Sequence, residues 1–228
     1  LHQEQGAFYQ HMSSYIIKEQ SAPWLHIDWS CINAKTKLYV LRASLSMSGR
    51  AIVIYEECHG KKEENNHAAH KVFLNNLKAS LPASVKPIIV TDGGFRAPWF
   101  CYVRSLGWDF VGRLRNKNLV LMDNTQQWRL SKNFFPAASS KPSYIGHGLL
   151  TKDGKVAANL VLYKGVDKSR HKININKKIS QSGKSKKFSK ASKEPWLLVT
   201  SLASSEEIAK QTVNIYRQRM RIEENIRD

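Results

Sequence analysis

The sequence predicts an α/β fold, a mixed sheet with flanking helices. Apolar β-type runs alternate with helical periods over residues 24–115, a hairpin pattern stands at their head, and a further strand–helix pair closes the chain. "WLHIDWS" (24–30) reads as the first strand. "KLYVLRASL" (37–45) and "AIVIYEECH" (51–59) flank "SMSGR", a turn holding Gly49, and form a β-hairpin. From Glu63 to Leu81, the residues Ala69, Val72, Phe73, Leu77 and Leu81 keep a helical period. "VKPIIVT" (85–91) is a buried strand and "DGGF" the loop after it. Residues 96–107 form a helix closed by Gly107, and "WDFVGRLR" (108–115) a fifth strand.

The resulting order is β-β-β-α-β-α-β, a hairpin sheet extended by parallel strands with crossover helices. This is the pattern of a ribonuclease H-like core. Residues 1–23 read as the remnant of an amino-terminal region and 24–115 as the first part of that core. Residues 116–195 lack helical periodicity and carry β-like pieces such as "VAANLVLYK", with turns at "HG" and "DG". They read as a β-rich basic insertion. Residues 196–228 complete the core with the strand "WLLVTSL" and a last helix. Ser204 and Glu207 have capping-box spacing for that helix, and Ile208, Ile215, Ile222 and Ile226 mark its core side.

The chain has 228 residues, 42% of them apolar, with six tryptophans, which suits a globular core. It carries 36 Lys and Arg against 18 Asp and Glu, a net charge of +18, with pI near 9.9. Such a balance points to a polyanionic partner, most often nucleic acid. Residues 164–193 hold eleven Lys or Arg and one acid, Asp167, so more than half of the excess charge lies there. The run, with Lys184, Lys186 and Lys187 near its centre, is either a solvated loop or a phosphate clamp. Cys31, Cys58 and Cys101 have no C-x-x-C spacing, which argues against a disulfide framework and for a reducing cytoplasm. No apolar run reaches membrane-span length, and no signal peptide is expected.

Three acids stand out. Asp28 interrupts an apolar strand, where an unpaired charge is costly to bury. Asp92 ends "IIVT" and precedes Gly93 and Gly94, at the strand end where α/β folds bind ligands and where glycines let a phosphate backbone approach. The lesser alternative is a cap for the next helix. Tyr216, Arg219 and Glu223 share one face of the last helix at about 100° per residue. The plain reading of Arg219 and Glu223 is an i, i+4 ion pair worth a few tenths of a kcal/mol. In a ribonuclease H-like sheet the first and fourth strands are neighbours, so Asp28 and Asp92 would face each other and Glu223 could join them. Three carboxylates without basic partners need cations. Two Mg²⁺ ions about 4 Å apart, for which Mn²⁺ would substitute, suit phosphodiester chemistry.

These motifs resemble those of the DDE transposases of bacterial insertion sequences, specifically the IS-four family that includes the Tn-five enzyme. "HIDWS" is similar to the family's first-aspartate strand, "LRASLSMSGRAIVIYEECH" to its hairpin, and "IIVTDGGFRAPWF" with "GWDFVGRLR" to the second-aspartate block. "IYRQRMRIEENIRD" matches the signature Tyr-x2-Arg-x3-Glu-x6-Lys. The resemblance implies that Asp28, Asp92 and Glu223 form the metal-binding triad. It implies that Tyr216 and Arg219 contact DNA phosphate near the cleaved end. It also implies a base-stacking role for Trp196, whose alternative is a core aromatic at a strand start. Apart from the resemblance, "WDFVGRLRNK" interleaves aromatics with Arg113, Arg115 and Lys117 as nucleic-acid grooves do, though a strand with basic ends explains it nearly as well, and Arg227 is a further expected DNA contact. The implied activity is nicking at a transposon end followed by strand transfer, with double-stranded DNA as substrate and a homodimer in the synaptic complex.

One departure is visible. The signature's lysine would fall at position 230, two residues past Asp228. Together with the short stretch before residue 24, this leads to the expectation of a catalytic core cut from a longer protein. Glu224 is turned about 100° off the signature face and is the weaker ligand candidate. Cys58, His59, His67 and His70 fit no common zinc spacing. Two rivals stay open: a plain ribonuclease H-like nuclease, and a DNA-binding fragment that does not cut.

Overall fold

The computed structural model describes residues 2–18, 20–47, 50–115, 118–165, 178–179, 181–183, 185 and 193–225, with the side chains of residues 2, 3, 5, 50 and 220–225 outside that description. Among the described residues, ten strands form one sheet in the order β3-β2-β1-β4-β5-β10-β9-β8-β6-β7. The expected core supplies the first half. β1 (Trp24–Asn33), β2 (Leu38–Met47) and β3 (Arg50–Gly60) are antiparallel, and β4 (Ile88–Thr91) and β5 (Asp109–Leu114) add parallel strands beside β1. This is a ribonuclease H-like arrangement. α2 (His67–Ser80) and α3 (Ala97–Ser105) make the two crossovers.

Local signals set the boundaries. Asn66 caps α2 by accepting from the Ala68 N–H at 2.8 Å. Pro98 sits in the first turn of α3, and Gly107 leaves that helix with φ +77, a conformation that costs glycine little. A Cβ at Gly112 would collide with the ring of Phe100, so this glycine lets α3 lie close on β5.

The segment 116–195 supplies β6 (Leu119–Met122), β7 (Arg129–Leu130), β8 (Ser143–Leu150) and β9 (Val156–Tyr163). These strands continue the same sheet, because β9 pairs antiparallel with β10 (Trp196–Thr200). α4 (Ile208–Asn225) follows. It starts later than the Ser204 and Glu207 spacing predicts. Glu207 bonds Lys210 at 3.0 Å, an ion pair within the first turn. Residues 2–17 form a helix, α1 (His2–Ile17), for which the sequence offered only a thin apolar stripe; Tyr9, Ser13 and Ile17 are buried among its described side chains.

Strand alternation divides the core in two. One face of the sheet buries Leu25, Ile27, Leu41, Ile89, Phe110 and Leu197 with the α1–α3 layer, centred on Phe73, Trp99 and Phe100. The other face buries Ile88, Val90, Val111, Val161 and Leu198 under Ala209, Val213, Ile215 and Tyr216 of α4. Ile208 and Ile215 are core residues, as their spacing predicts. The side chains of Ile222 and Ile226 lie outside the described residues.

Histidines 59 and 70 belong to the first face. Trp29 donates its indole N–H to His70 Nε2 at 3.1 Å, and Phe95 stacks on the imidazole. Burial first, then the charges of His67 and His59, lowers the His70 pKa from 6.5 to about 4. The folded chain thus holds a neutral ring, while the unfolded chain takes up a proton below 6.5. The stabilisation is complete above that pH and is lost progressively as pH falls toward about 4. His70→Gln keeps an acceptor for Trp29 but does not titrate. The wild type is expected to lose more stability than this variant between about pH 7 and pH 4, measured by urea denaturation at each pH.

Candidate active site

The parallel pairing of β1 with β4 places Ile27 opposite Thr91. The next residue on each strand is an aspartate, so Asp28 and Asp92 stand side by side on the α4 face. Their side chains are partly exposed, at 25% and 34%. Asp92 is oriented by its own loop: Oδ1 accepts the Gly94 N–H at 2.7 Å, and a Cβ at Gly94 would crowd that oxygen. The alternative of a helix cap is not realised, since the residue preceding α3 is Arg96. Gly93 has a different use from the one expected. A Cβ there would collide with Cγ and Cδ of Arg115, so the glycine makes room for an arginine arm rather than for a phosphate.

Arg219 reaches down from α4 between the two acids. Its Nη2 lies 3.5 Å from Asp28 Oδ1 and 3.8 Å from Asp92 Oδ2, and its side chain is 12% exposed. This corrects the expectation of carboxylates without a basic partner. The cation comes from the signature helix itself, and the i, i+3, i+7 spacing alone could not show which neighbour Arg219 would find. Glu223 stands one helical turn further along α4; its side chain lies outside the described residues. Among the described residues the site therefore joins two carboxylates and a guanidinium.

His26 was not singled out from sequence, although its place two residues before Asp28 puts it on the same strand face. It is 1% exposed, and among the described residues neither ring nitrogen has a hydrogen-bond partner. Burial, and then the Arg219 charge, pushes its pKa from 6.5 to about 3, which keeps a second positive charge out of the floor of the site.

A polar network flanks the acids. Arg113 donates to Glu194 Oε2 at 3.1 Å, and Arg115 Nε donates to the same oxygen at 3.2 Å. Burial pushes the Tyr216 pKa up, against the opposing pull of the nearby Arg219 and Arg113 charges. Tyr216 is 3% exposed and packs edge-on against Trp196 at 4.9 Å. Trp196 also contacts Tyr163 at 5.5 Å. Tyr216 and Trp196 thus serve as packing between α4 and the sheet, and Arg113 and Arg115 are tied to Glu194. Glu194 was overlooked in the sequence. A single acid directly after a lysine-rich run and before a strand is the signal that marks it. Lys184, Lys186, Lys187 and Arg227 lie outside the described residues.

Asp28 within β1 and Asp92 just past the end of β4 are thus neighbouring carboxylates approached by a basic helix. The chain belongs to the Transposase DDE domain family, which it matches over residues 18–228. No curated protein sequence matches it. Among solved structures it is similar to a piggyBac transposase in a synaptic complex with hairpin DNA, at 14% identity and a TM-score of 0.46. That match covers 90% of this chain and 40% of the transposase.

Glu194→Ala would leave two guanidiniums without their shared anion, one of them, Arg113, with a side chain only 12% exposed. The expected loss is about 3 kcal/mol of folding stability. Chemical denaturation monitored by tryptophan fluorescence measures it, with Glu194→Gln expected to lose less.

Proposed function

We propose that the chain is the catalytic core of a DNA transposase of the insertion-sequence type, cutting DNA at transposon ends and joining the freed 3′-hydroxyl to target DNA. The observation that carries this reading is the pair Asp28 and Asp92 on adjoining strands, under the helix that bears the signature Tyr216, Arg219 and Glu223. The signature and the two aspartate blocks support a bacterial origin in the IS-four family. The corresponding setting is the bacterial cytoplasm, on nucleoid DNA, with two copies of the full-length protein in the synaptic complex.

The residues fit a divalent-metal site. Both acids offer hard oxygen donors, Asp92 is held in a fixed orientation, and the pair already attracts a cation in Arg219. Asp28 and Asp92 would hold Mg²⁺, or Mn²⁺ in its place, with Glu223 as the third ligand. When bound, Mg²⁺ activates the attacking hydroxyl or water and stabilises the leaving oxygen. Arg219, freed from the acids, would pair with a phosphate beside the cleaved bond. The lysines of 164–193 would hold the DNA further out through charge.

The test is Mg²⁺-dependent nicking of supercoiled plasmid and joining of 3′-hydroxyl oligonucleotides. Asp28→Asn, Asp92→Asn and Glu223→Gln are each expected to lower both activities by roughly a hundredfold or more, about 3 kcal/mol of transition-state stabilisation. Undiminished activity in the aspartate variants overturns the assignment, and nicking without joining leaves a plain nuclease. DNA binding is expected to follow salt, with about 0.9 in the log–log slope per phosphate contact. Replacing Lys184, Lys186 and Lys187 by Gln should flatten that slope in a fluorescence-anisotropy titration. An unchanged slope would exclude the run as a clamp.

A further inference from the structure

We propose that Arg219 is a built-in competitor for the metal position, held between Asp28 and Asp92 until a DNA phosphate draws it away, so that metal loading is coupled to DNA binding. This rests on the metal-site reading above. The geometry supplies the competition. One guanidinium nitrogen faces a carboxylate oxygen of each aspartate, at 3.5 and 3.8 Å. Mg²⁺ needs carboxylate oxygens at about 2.0–2.1 Å in near-octahedral array, and a dication placed between these acids would meet the fixed positive charge of Arg219 at close range. Arg219 cannot escape that conflict by losing its proton, because a guanidinium stays charged throughout the working pH range. It must move, or the metal binds weakly.

The surroundings favour this arrangement over a simple structural ion pair. Arg219 projects from the signature face of α4, and its contacts with the two aspartates lie at the long end of the ion-pair range rather than in the bidentate geometry that arginine adopts with a single carboxylate. A divided contact of this kind is weaker than a fork on one acid. A phosphate entering beside the acids offers Arg219 the bidentate partner that the aspartates do not. Movement of the guanidinium onto that phosphate removes the competing charge and adds a DNA contact in one step. Reciprocity then requires that bound metal raise DNA affinity by the same factor that DNA raises metal affinity.

The experiment measures Mn²⁺ binding to the full chain by electron paramagnetic resonance, with and without a short DNA duplex. Arg219→Gln is expected to bind Mn²⁺ at least tenfold more tightly than wild type in the absence of DNA. Duplex DNA should tighten Mn²⁺ binding to wild type and leave Arg219→Gln nearly unchanged. Arg217→Gln removes the same charge from the same helix at the side chain that bonds Tyr163, and should alter neither quantity. Arg219→Lys, which keeps the charge on a shorter reach, should fall between wild type and Arg219→Gln, and circular dichroism verifies that each variant is folded. Equal Mn²⁺ affinity in wild type and Arg219→Gln, with binding still abolished by Asp28→Asn, overturns the competition while leaving the metal site standing. Mn²⁺ binding that ignores Asp28→Asn overturns the metal site and the competition together.

Discussion

Two carboxylates on adjoining strands repel each other, and the rest of the site is arranged around that repulsion. The register of β1 on β4 makes the proximity unavoidable, since Ile27 opposite Thr91 carries the next residues, Asp28 and Asp92, into the same row. Folding must therefore supply positive charge close by. It does so from the far end of the chain, through Arg219 on α4, while burial keeps His26 neutral beneath. The position of α4 and the strand order of the core are thus linked by electrostatics as well as by apolar packing.

A second set of charges holds that helix in place. Glu194 binds Arg113 and Arg115 from β5 and the residue after it, and the Arg113 charge acts on Tyr216 of α4. Trp196 and Tyr163 close the apolar side of the same contact. Arginines counted from sequence as candidate DNA contacts are thus partly committed inside the protein. The aromatic residues of the signature region perform packing work that a motif cannot distinguish from ligand stacking.

The core was readable in the sequence because its signals are local. Alternating apolar residues, the helical period from Ala69 to Leu77 and the glycine at 107 each describe a few neighbouring residues, and all appear within a few residues of their expected ends, while the expected turn at Gly49 lies outside the described residues. The adjacency of Asp28 and Asp92 was also readable, since it follows from the strand order. Side-chain partners were not. Whether Arg219 meets a phosphate or an aspartate, whether Gly93 admits DNA or Arg115, and whether Tyr216 faces solvent or Trp196 depend on contacts between residues far apart in the chain. Periodicity carries no information about those. The helix at 2–17 was missed for a related reason: its buried stripe is narrow, and packing rather than pattern defines it.

Tyr163 and Trp196 are register partners on β9 and β10, so the basic stretch between them leaves and rejoins the sheet at one point. A segment whose two ends already meet adds little closure cost as it grows, about 0.6 kcal/mol for each doubling of length. Evolution, or an engineer, has there a place to lengthen, shorten or recharge the chain while β9, β10 and the paired aspartates keep their positions. The polycationic stretch is in this sense an exchangeable appendage, and related proteins with the same sheet are free to differ most between these two strands.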